Sequence, residues 1–323
     1  MDMSEQGASI IALLQMNPTV GDITGNAQRL ERFVRTAKAS GAVVSVSTEL
    51  AICGYPPRDL LMQSSFVELA QQSALSLDVE IPSLIGTPTL PEHARGKPGN
   101  GVALLGNQAP VKIVARKQLL PTYDVFDEAR YFDSDDRPGI ARTLSGSLEL
   151  GVTVCEDAWQ VAGETPSEYD ADPIEQLAEW GRQGVNLDAT VNLSASPYHA
   201  NKIQTRLHVA RTAAKTLGHP FLLCNQIGGN DDLLFDGRSL AAWPSAMLLS
   251  LQLGRKESSS LTSTIHKQPL GFLWKMSVVN SFIMRLMKRV KNEVMFSKNL
   301  PMQSFWDFAT IVKNRVLNAL FLA

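Results

Sequence analysis

ELGVTVCEDAWQ, residues 149–160, reads as the end of a β-strand (Gly151 to Cys155) that runs straight into a cysteine and two carboxylates. A cysteine in such a place is most often a small buried hydrophobe. The acids beside it make that reading odd, because they raise a thiol's pKa rather than lower it. If Cys155 is a nucleophile, its base and its cation must come from elsewhere in the chain.

On both sides of this stretch, apolar runs of strand length alternate with helical patterns. ASIIALLQMN and AVVSVST read as strands, with an amphipathic helix over Asn26 to Ala39 between them. LMQSSFVELAQQSAL reads as a helix, and SLIGTPTL, NGVALLG and part of QAPVKIVARKQLL as strands. Beyond Cys155 come the helix PIEQLAEWGRQG, the strand VNLDATVNLSAS, the helix HANKIQTRLHVARTAAKTLG and the strand PFLLCNQIGG. Strands separated by helices of this length imply an α/β fold with helix-covered sheet. The closely spaced strands over 81–118 imply a mixed sheet, not a purely parallel one.

In such folds the loops after the C-terminal ends of strands collect the working groups. Glu49, Lys117 and Cys155 all sit there. Taken singly, each has an ordinary reading: a solvated glutamate, a surface lysine, a buried thiol. No GxGxxG, GxxxxGK[ST], HExxH or GxSxG motif is present, which removes the common nucleotide, zinc and serine-hydrolase readings.

The segments QMNPTVGDITGN, ELAICGYPPRDLL, RKQLLPTYDVFDEARYF, VCEDAW, NLSASPYHANK and NQIGGNDDLLFDGRSL occur in this order across residues 9–240. Together they resemble the nitrilase superfamily of carbon–nitrogen hydrolases, and within it the glutaminase domain of glutamine-dependent NAD synthetases. The resemblance implies a four-layer αββα sandwich and a Glu-Lys-Cys triad that hydrolyses an amide. Position by position, it makes Cys155 the nucleophile, Glu49 the general base and Lys117 the third member. Glu49 can take the thiol's proton if burial raises its pKa toward neutrality. Lys117 and a backbone N–H after Cys155 can stabilise the oxyanion. Tyr123, Glu156, Ser196 and Lys202 match glutamine-binding positions, and the Glu156 carboxylate suits an α-ammonium. Glu128 matches a second acidic residue found near many nitrilase triads. Thr48 stands where the family commonly has proline.

The resemblance therefore implies a glutamine amidohydrolase, the ammonia-supplying part of NAD biosynthesis. The alternatives are a stand-alone amidase for another small amide, or an inactive truncated remnant. No cofactor is expected for the glutaminase step, and ATP and deamido-NAD would belong to a synthetase domain for which no SGGxDS-type loop is present. The expected partners are L-glutamine and further copies of the chain associating through the hydrolase domain. Cys53 and Cys224 read as structural residues, and no cysteine or histidine has metal-ligand spacing.

The chain has 323 residues, 44% hydrophobic and 19% charged, with a net charge of −2. That balance gives no reason to expect nucleic acid, and a reduced, cytoplasmic protein is the default. The average hides a split. From residue 241 onward there are eleven Lys and Arg against three acidic residues, Glu257, Glu293 and Asp307. This shift places a boundary at 245, with 1–245 as the hydrolase domain and 246–323 as an unmatched basic, apolar tail. The tail reads as foreign or out-of-frame sequence that does not complete the domain. Its stretch 272–296 has partial helical spacing, and membrane-surface association is the less favoured reading of it.

Overall fold

The structure is a computed structural model describing residues 9–106, 111–143, 148–166, 169–245, 248–250 and 260–265, the last two as backbone only. The chain divides into units at 1–277 and 278–323, and every described residue lies in the first. The expected helix over 272–296 lies outside the described residues.

In chain order the elements are β1 (Ser9–Leu14), α1 (Ile23–Ala39), β2 (Val44–Val46), α2 (Ser64–Leu75), β3 (Ser83–Thr89), β4 (Gly99–Leu105) and β5 (Lys112–Arg116). There follow α3 (Glu128–Tyr131), β6 (Gly139–Arg142), β7 (Glu149–Val154), α4 (Pro173–Arg182), β8 (Ala189–Ser194), α5 (Lys202–Leu217) and β9 (Phe221–Asn225). The last are β10 (Ile227–Asn230), β11 (Leu233–Asp236), β12 (Leu240–Ala242), β13 (Leu248–Ser250) and β14 (Ser260–Ile265).

The strands form two six-stranded sheets, ordered β14-β1-β2-β3-β4-β5 and β13-β12-β9-β8-β7-β6, plus the β10-β11 hairpin. Both sheets are mixed, as the strand spacing implied. β1, β2 and β3 run parallel, and β4 and β5 antiparallel to their neighbours. The strands β7, β8 and β9 run parallel in the second sheet.

Side-chain alternation explains the layering. In β1, Ile11 and Leu13 enter the apolar layer between the sheets, while Ala12 and Leu14 face helices α1 and α2. In β9, Leu222 and Cys224 enter the same central layer, while Phe221 and Leu223 pack with Val209, Ala210, Ala213 and Ala214 of α5. A strand buried on both faces has no polar side to show, which is why these segments read as unbroken apolar runs. The result is the expected αββα sandwich.

Helix α1 begins three residues earlier than its periodicity suggested. Asp22 caps it, its carboxylate accepting from the Gly25 N–H at 2.9 Å, and Ile23 joins Leu30, Val34 and Ala37 on the buried face. Thr24 and Gly25 are weak helix formers that the cap carries.

Two strands lie past residue 245, where the charge shift placed the boundary. β13 pairs with β12, and β14 pairs with β1 over all six residues from Ser9↔Ile265 to Leu14↔Ser260. The sheets therefore continue beyond that boundary, against the expectation that nothing after 245 completes the domain. Ending the chain after residue 245 would expose the backbone edges of β1 and β12 to solvent and to other chains. Such a truncation is expected to melt at least about 5 °C below one ended after residue 277 and to be less soluble. Equal melting curves would show that β13 and β14 contribute nothing.

Among the described residues no helix is long and apolar enough to cross a membrane.

Candidate active site

Glu49 follows β2 and Lys117 follows β5, both in the first sheet; Cys155 follows β7 in the second. All three side chains are buried at the ends of their strands. Glu49 and Lys117 have no exposed surface, and Cys155 is 6% exposed. The Glu49 turn is possible because β3 approaches it closely at Gly86. A Cβ there would lie 2.4 Å from the Thr48 carbonyl oxygen.

Lys117 donates from Nζ to Glu49 Oε1 at 2.9 Å and to Glu128 Oε1 at 2.8 Å. Burial opposes its charge, but Glu128 and Glu49 together with Cys155 outweigh that, so its pKa stands well above the ordinary lysine range. Glu49 is held on all sides: Asn100 Nδ2 donates to Oε1 at 2.8 Å, and the Ala195 backbone N–H donates to Oε2 at 2.9 Å. Glu128 also accepts from the Tyr55 hydroxyl at 2.7 Å. Burial raises its carboxyl to about 7, against the pull of Lys117. One ammonium thus faces two buried carboxylates. A cavity of about 310 Å³, lined in part by Tyr55, Pro57 and Phe126, reaches Glu128.

Cys155 has φ +43°, a left-handed conformation that costs a non-glycine residue on the order of 1–3 kcal/mol. It ends the strand and opens a short 3-10 turn, Cys155–Ala158. A turn of this kind holds the side chain off the strand axis. Asn192 Nδ2 donates to the Cys155 carbonyl at 3.3 Å and to Thr153 Oγ1 at 3.0 Å, and Ser194 Oγ donates to Asn192 Oδ1 at 2.7 Å. Burial and the Glu49 carboxylate push the thiol well above its usual pKa, while Lys117 pulls it down. At rest the thiol keeps its proton, so attack on a carbonyl needs a base to remove it in concert. The odd acids of the opening stretch have other partners. Glu156 accepts from the Tyr123 hydroxyl at 2.7 Å, and Asp157 accepts only from backbone N–H groups.

Burial raises the Glu156 carboxyl, with the Tyr123 hydrogen bond and Lys117 pulling the other way. Burial outweighs them and the Lys202 charge, so a bound ammonium would add counter-charge to this carboxylate. Tyr169, in the loop before α4, also feels Glu156, and burial and that carboxylate raise its phenol. Lys202 opens α5, and its ammonium lies 4.1 Å above the Trp159 ring centroid. Burial lowers its pKa, and the ring face offsets part of the lost hydration. The helix start is fixed by Arg206, fully buried, whose Nη1 lies 3.0 Å from Asp236 Oδ1. Ser196 is buried beside Ala195, its backbone N–H donating to Asn225 Oδ1 at 2.9 Å.

Glu49, Lys117, Tyr123, Cys155, Glu156 and Ser196 lie in these loops and turns, while Glu128 and Lys202 open α3 and α5. Asn100, Asn192, Tyr55, Trp159 and the Ala195 N–H were not singled out. Trp159 lies inside a motif already noticed, but the others carry no signal in a single sequence. Cys53 and Cys224 are buried away from the charge cluster, each with its thiol raised by burial. Among the described residues no group of three or more His, Cys, Asp or Glu is arranged to hold a metal ion.

Residues 10–270 match the carbon-nitrogen hydrolase family. A glutamine-dependent NAD(+) synthetase of Synechocystis is 41% identical over 240 residues, covering 72% of this chain and 42% of that protein. The protein of the same name from Thermotoga maritima is 32% identical over 246 residues, covering 74% of this chain and 39% of that one. The chain thus spans about two fifths of the length of these curated relatives. Among solved structures, a glutamine-dependent NAD+ synthetase from Acinetobacter baumannii superposes with a TM-score of 0.69 at 25% identity, covering 84% of this chain and 49% of that one. A nitrilase-superfamily amidase from Nesterenkonia has a TM-score of 0.61 at 18% identity, covering 82% and 92%, which is a likeness of fold.

Proposed function

This chain belongs to the carbon-nitrogen hydrolase family, and we propose that it hydrolyses the side-chain amide of L-glutamine to glutamate and ammonia. The observation that carries the reading is the buried Lys117 ammonium between two carboxylates, beside a thiol on a strained turn. In this scheme Glu49 removes the Cys155 proton as sulfur attacks the amide carbon. The carbonyl oxygen becomes an oxyanion, stabilised by Lys117 and a backbone N–H after Cys155. Collapse breaks the C–N bond, and the proton taken by Glu49 passes to the leaving nitrogen, which departs as ammonia. Water, deprotonated by Glu49, then attacks the γ-glutamyl thioester and releases glutamate. Glu128 accepts from the same ammonium and fixes its position against Glu49.

The substrate's amino-acid end needs an anion and a cation. Glu156 with Tyr123 offers one, and Lys202 on Trp159 offers the other; Ser196 lies beside them. The relatives' name supports a place in glutamine-dependent NAD synthesis, with this chain's part as the source of ammonia. ATP and deamido-NAD have no role in the hydrolytic step itself. The direct test is release of ammonia and glutamate from glutamine by the purified chain. No release from glutamine, with hydrolysis of simple amides, would replace this reading with a general amidase.

Glu156→Gln tests the substrate assignment. It removes the charge and keeps the shape, and a charge-assisted hydrogen bond contributes about 1.5–3 kcal/mol. KM for glutamine is expected to rise about 10- to 100-fold, while kcat/KM for propionamide, which has no α-ammonium, changes less than about threefold. Equal losses on both amides would remove Glu156 from substrate recognition.

A further inference from the structure

We propose that Asp157 is the positioning residue that fixes the Lys117 ammonium against the Cys155 thiol by clamping the two sheets together. The inference rests on the proposed roles of Lys117 and Cys155. Those two residues come from different sheets, Lys117 after β5 and Cys155 after β7, and no covalent geometry sets their separation. Asp157 bridges them with one carboxylate. Its Oδ1 accepts from the backbone N–H of Gln118 at 3.0 Å and of Leu119 at 2.9 Å, the two residues that follow the lysine. Its Oδ2 accepts from the backbone N–H of Val154 at 2.9 Å, the residue that precedes the nucleophile.

The side chain is 1% exposed, and these three donors, with the Lys117 charge, offset its loss of water. Burial raises its carboxyl to about 7 despite them. A buried acid held at such cost, joining its own turn at Val154 to a segment 38 and 39 residues away, is a poor choice for mere filling. A second cross-sheet bond, Ala195 N–H to Glu49, uses a residue of the charge cluster itself. Asp157 hydrogen-bonds none of the proposed reacting groups and acts on Lys117 only through the backbone that follows it and through its charge.

The chemistry of the clamp separates close variants. An amide has one acceptor oxygen and one donor nitrogen where a carboxylate has two acceptors. Asp157→Asn can keep Gln118 and Leu119 only by presenting N–H to the Val154 N–H, or the reverse. Turned one way the amide loses Val154 and loosens the turn that seats Cys155; turned the other it lets go of Gln118 and Leu119, so one side of the clamp is lost either way. Asp157→Glu keeps both acceptors but carries them on a side chain one methylene longer, which shifts the two loops relative to each other.

The test measures glutaminase kinetics, thermal melting and thiol alkylation on the full chain, for wild type, Asp157→Asn, Asp157→Glu and Asp172→Ala. Asp172 is the matched control: its carboxylate also holds backbone N–H groups, those of Ile174 and Glu175 at the start of α4. A displacement of about 1 Å in a catalytic array can cost about 10²-fold. Asp157→Asn is expected to lower kcat by about that factor with KM for glutamine within threefold. Its Cys155 should also be alkylated by iodoacetamide with a pH profile moved to higher pH, because the ammonium has drawn back. Asp157→Glu should show the same split in milder form, and serves if the amide variant does not fold. Asp172→Ala should lower the melting temperature and leave kcat within twofold.

Wild-type kcat and alkylation profile in both Asp157 variants would overturn the clamp. So would an equal loss of kcat in Asp172→Ala, which would mean that general loosening is responsible. Cys155→Ala and Lys117→Met keep the two readings apart. If they are inactive while the Asp157 variants are normal, the clamp fails and the proposed chemistry stands. If Cys155→Ala is active, the proposed chemistry itself fails.

Discussion

Cys155→Ala is expected to lower ammonia release from glutamine by about 10⁴-fold or more, the scale of loss when an enzyme's nucleophile is removed. No neighbouring group can replace the sulfur. Cys53 and Cys224 are fully buried, and burial holds their thiols protonated. Cys53→Ala and Cys224→Ala should therefore leave turnover near wild type, with only the modest loss of stability that follows removal of a buried sulfur. The fold should survive Cys155→Ala, since the substitution removes a thiol from a strained turn without taking away a hydrogen-bond partner of the backbone. Glutamine binding should persist, because Glu156, Tyr123 and Lys202 are untouched. Calorimetric titration with glutamine and a coupled ammonia assay check both halves. An active alanine variant would exclude Cys155 as the nucleophile.

Lys117→Met is expected to damage activity and stability together. The methionine side chain is of similar length, so packing is roughly kept and the charge is lost. Removing an oxyanion-stabilising donor costs about 10²–10³-fold in kcat. The stability effect has a separate cause. Glu49 and Glu128 would be left buried with no cation between them, and breaking a buried charge pair costs about 3–5 kcal/mol. For a domain of this size that is roughly 6–20 °C in melting temperature.

The pH dependence identifies the source. Glu128 already has its pKa raised to about 7 by burial, and loss of the ammonium raises it further. A carboxyl whose folded pKa lies above its unfolded value of about 4.3 loses stability as pH rises through that interval. The variant's deficit should therefore shrink toward pH 5 and widen above pH 7. A deficit independent of pH would show that packing, not charge, accounts for it.

Both predictions concern residues that could be picked out from the chain alone. Each sits just past an apolar run, in a segment whose neighbours resemble a known family, and local sequence carries that information. The layered fold was legible for the same reason. Strands buried on both faces must be apolar throughout, and α1 and α5 must turn an apolar stripe to their sheets. The end of the sheets was not legible. β14 finds β1 across some 250 residues of chain, and four of the six residues of its SLTSTI sequence carry hydroxyls. The charge shift after residue 240 marked a change in surface character, while strand pairing runs through backbone groups that charge does not report.

What the sequence determined by itself was the kind of chemistry: a thiol, an ammonium and carboxylates, each placed at a strand end by a run of apolar residues. What only the tertiary structure decided was which charge faces which. Whether Lys117 meets one carboxylate or two depends on Glu128, at the start of α3, and Glu49, after β2, converging from eleven and 68 residues away. Whether an acid next to the cysteine serves substrate or scaffold depends on what reaches it. Glu156 meets a phenol, and Asp157 meets three backbone N–H groups. Backbone donors are the same at every residue, so no letter in the sequence announces them. Their positions follow from how two sheets stack, and that stacking is set by the whole apolar layer between them.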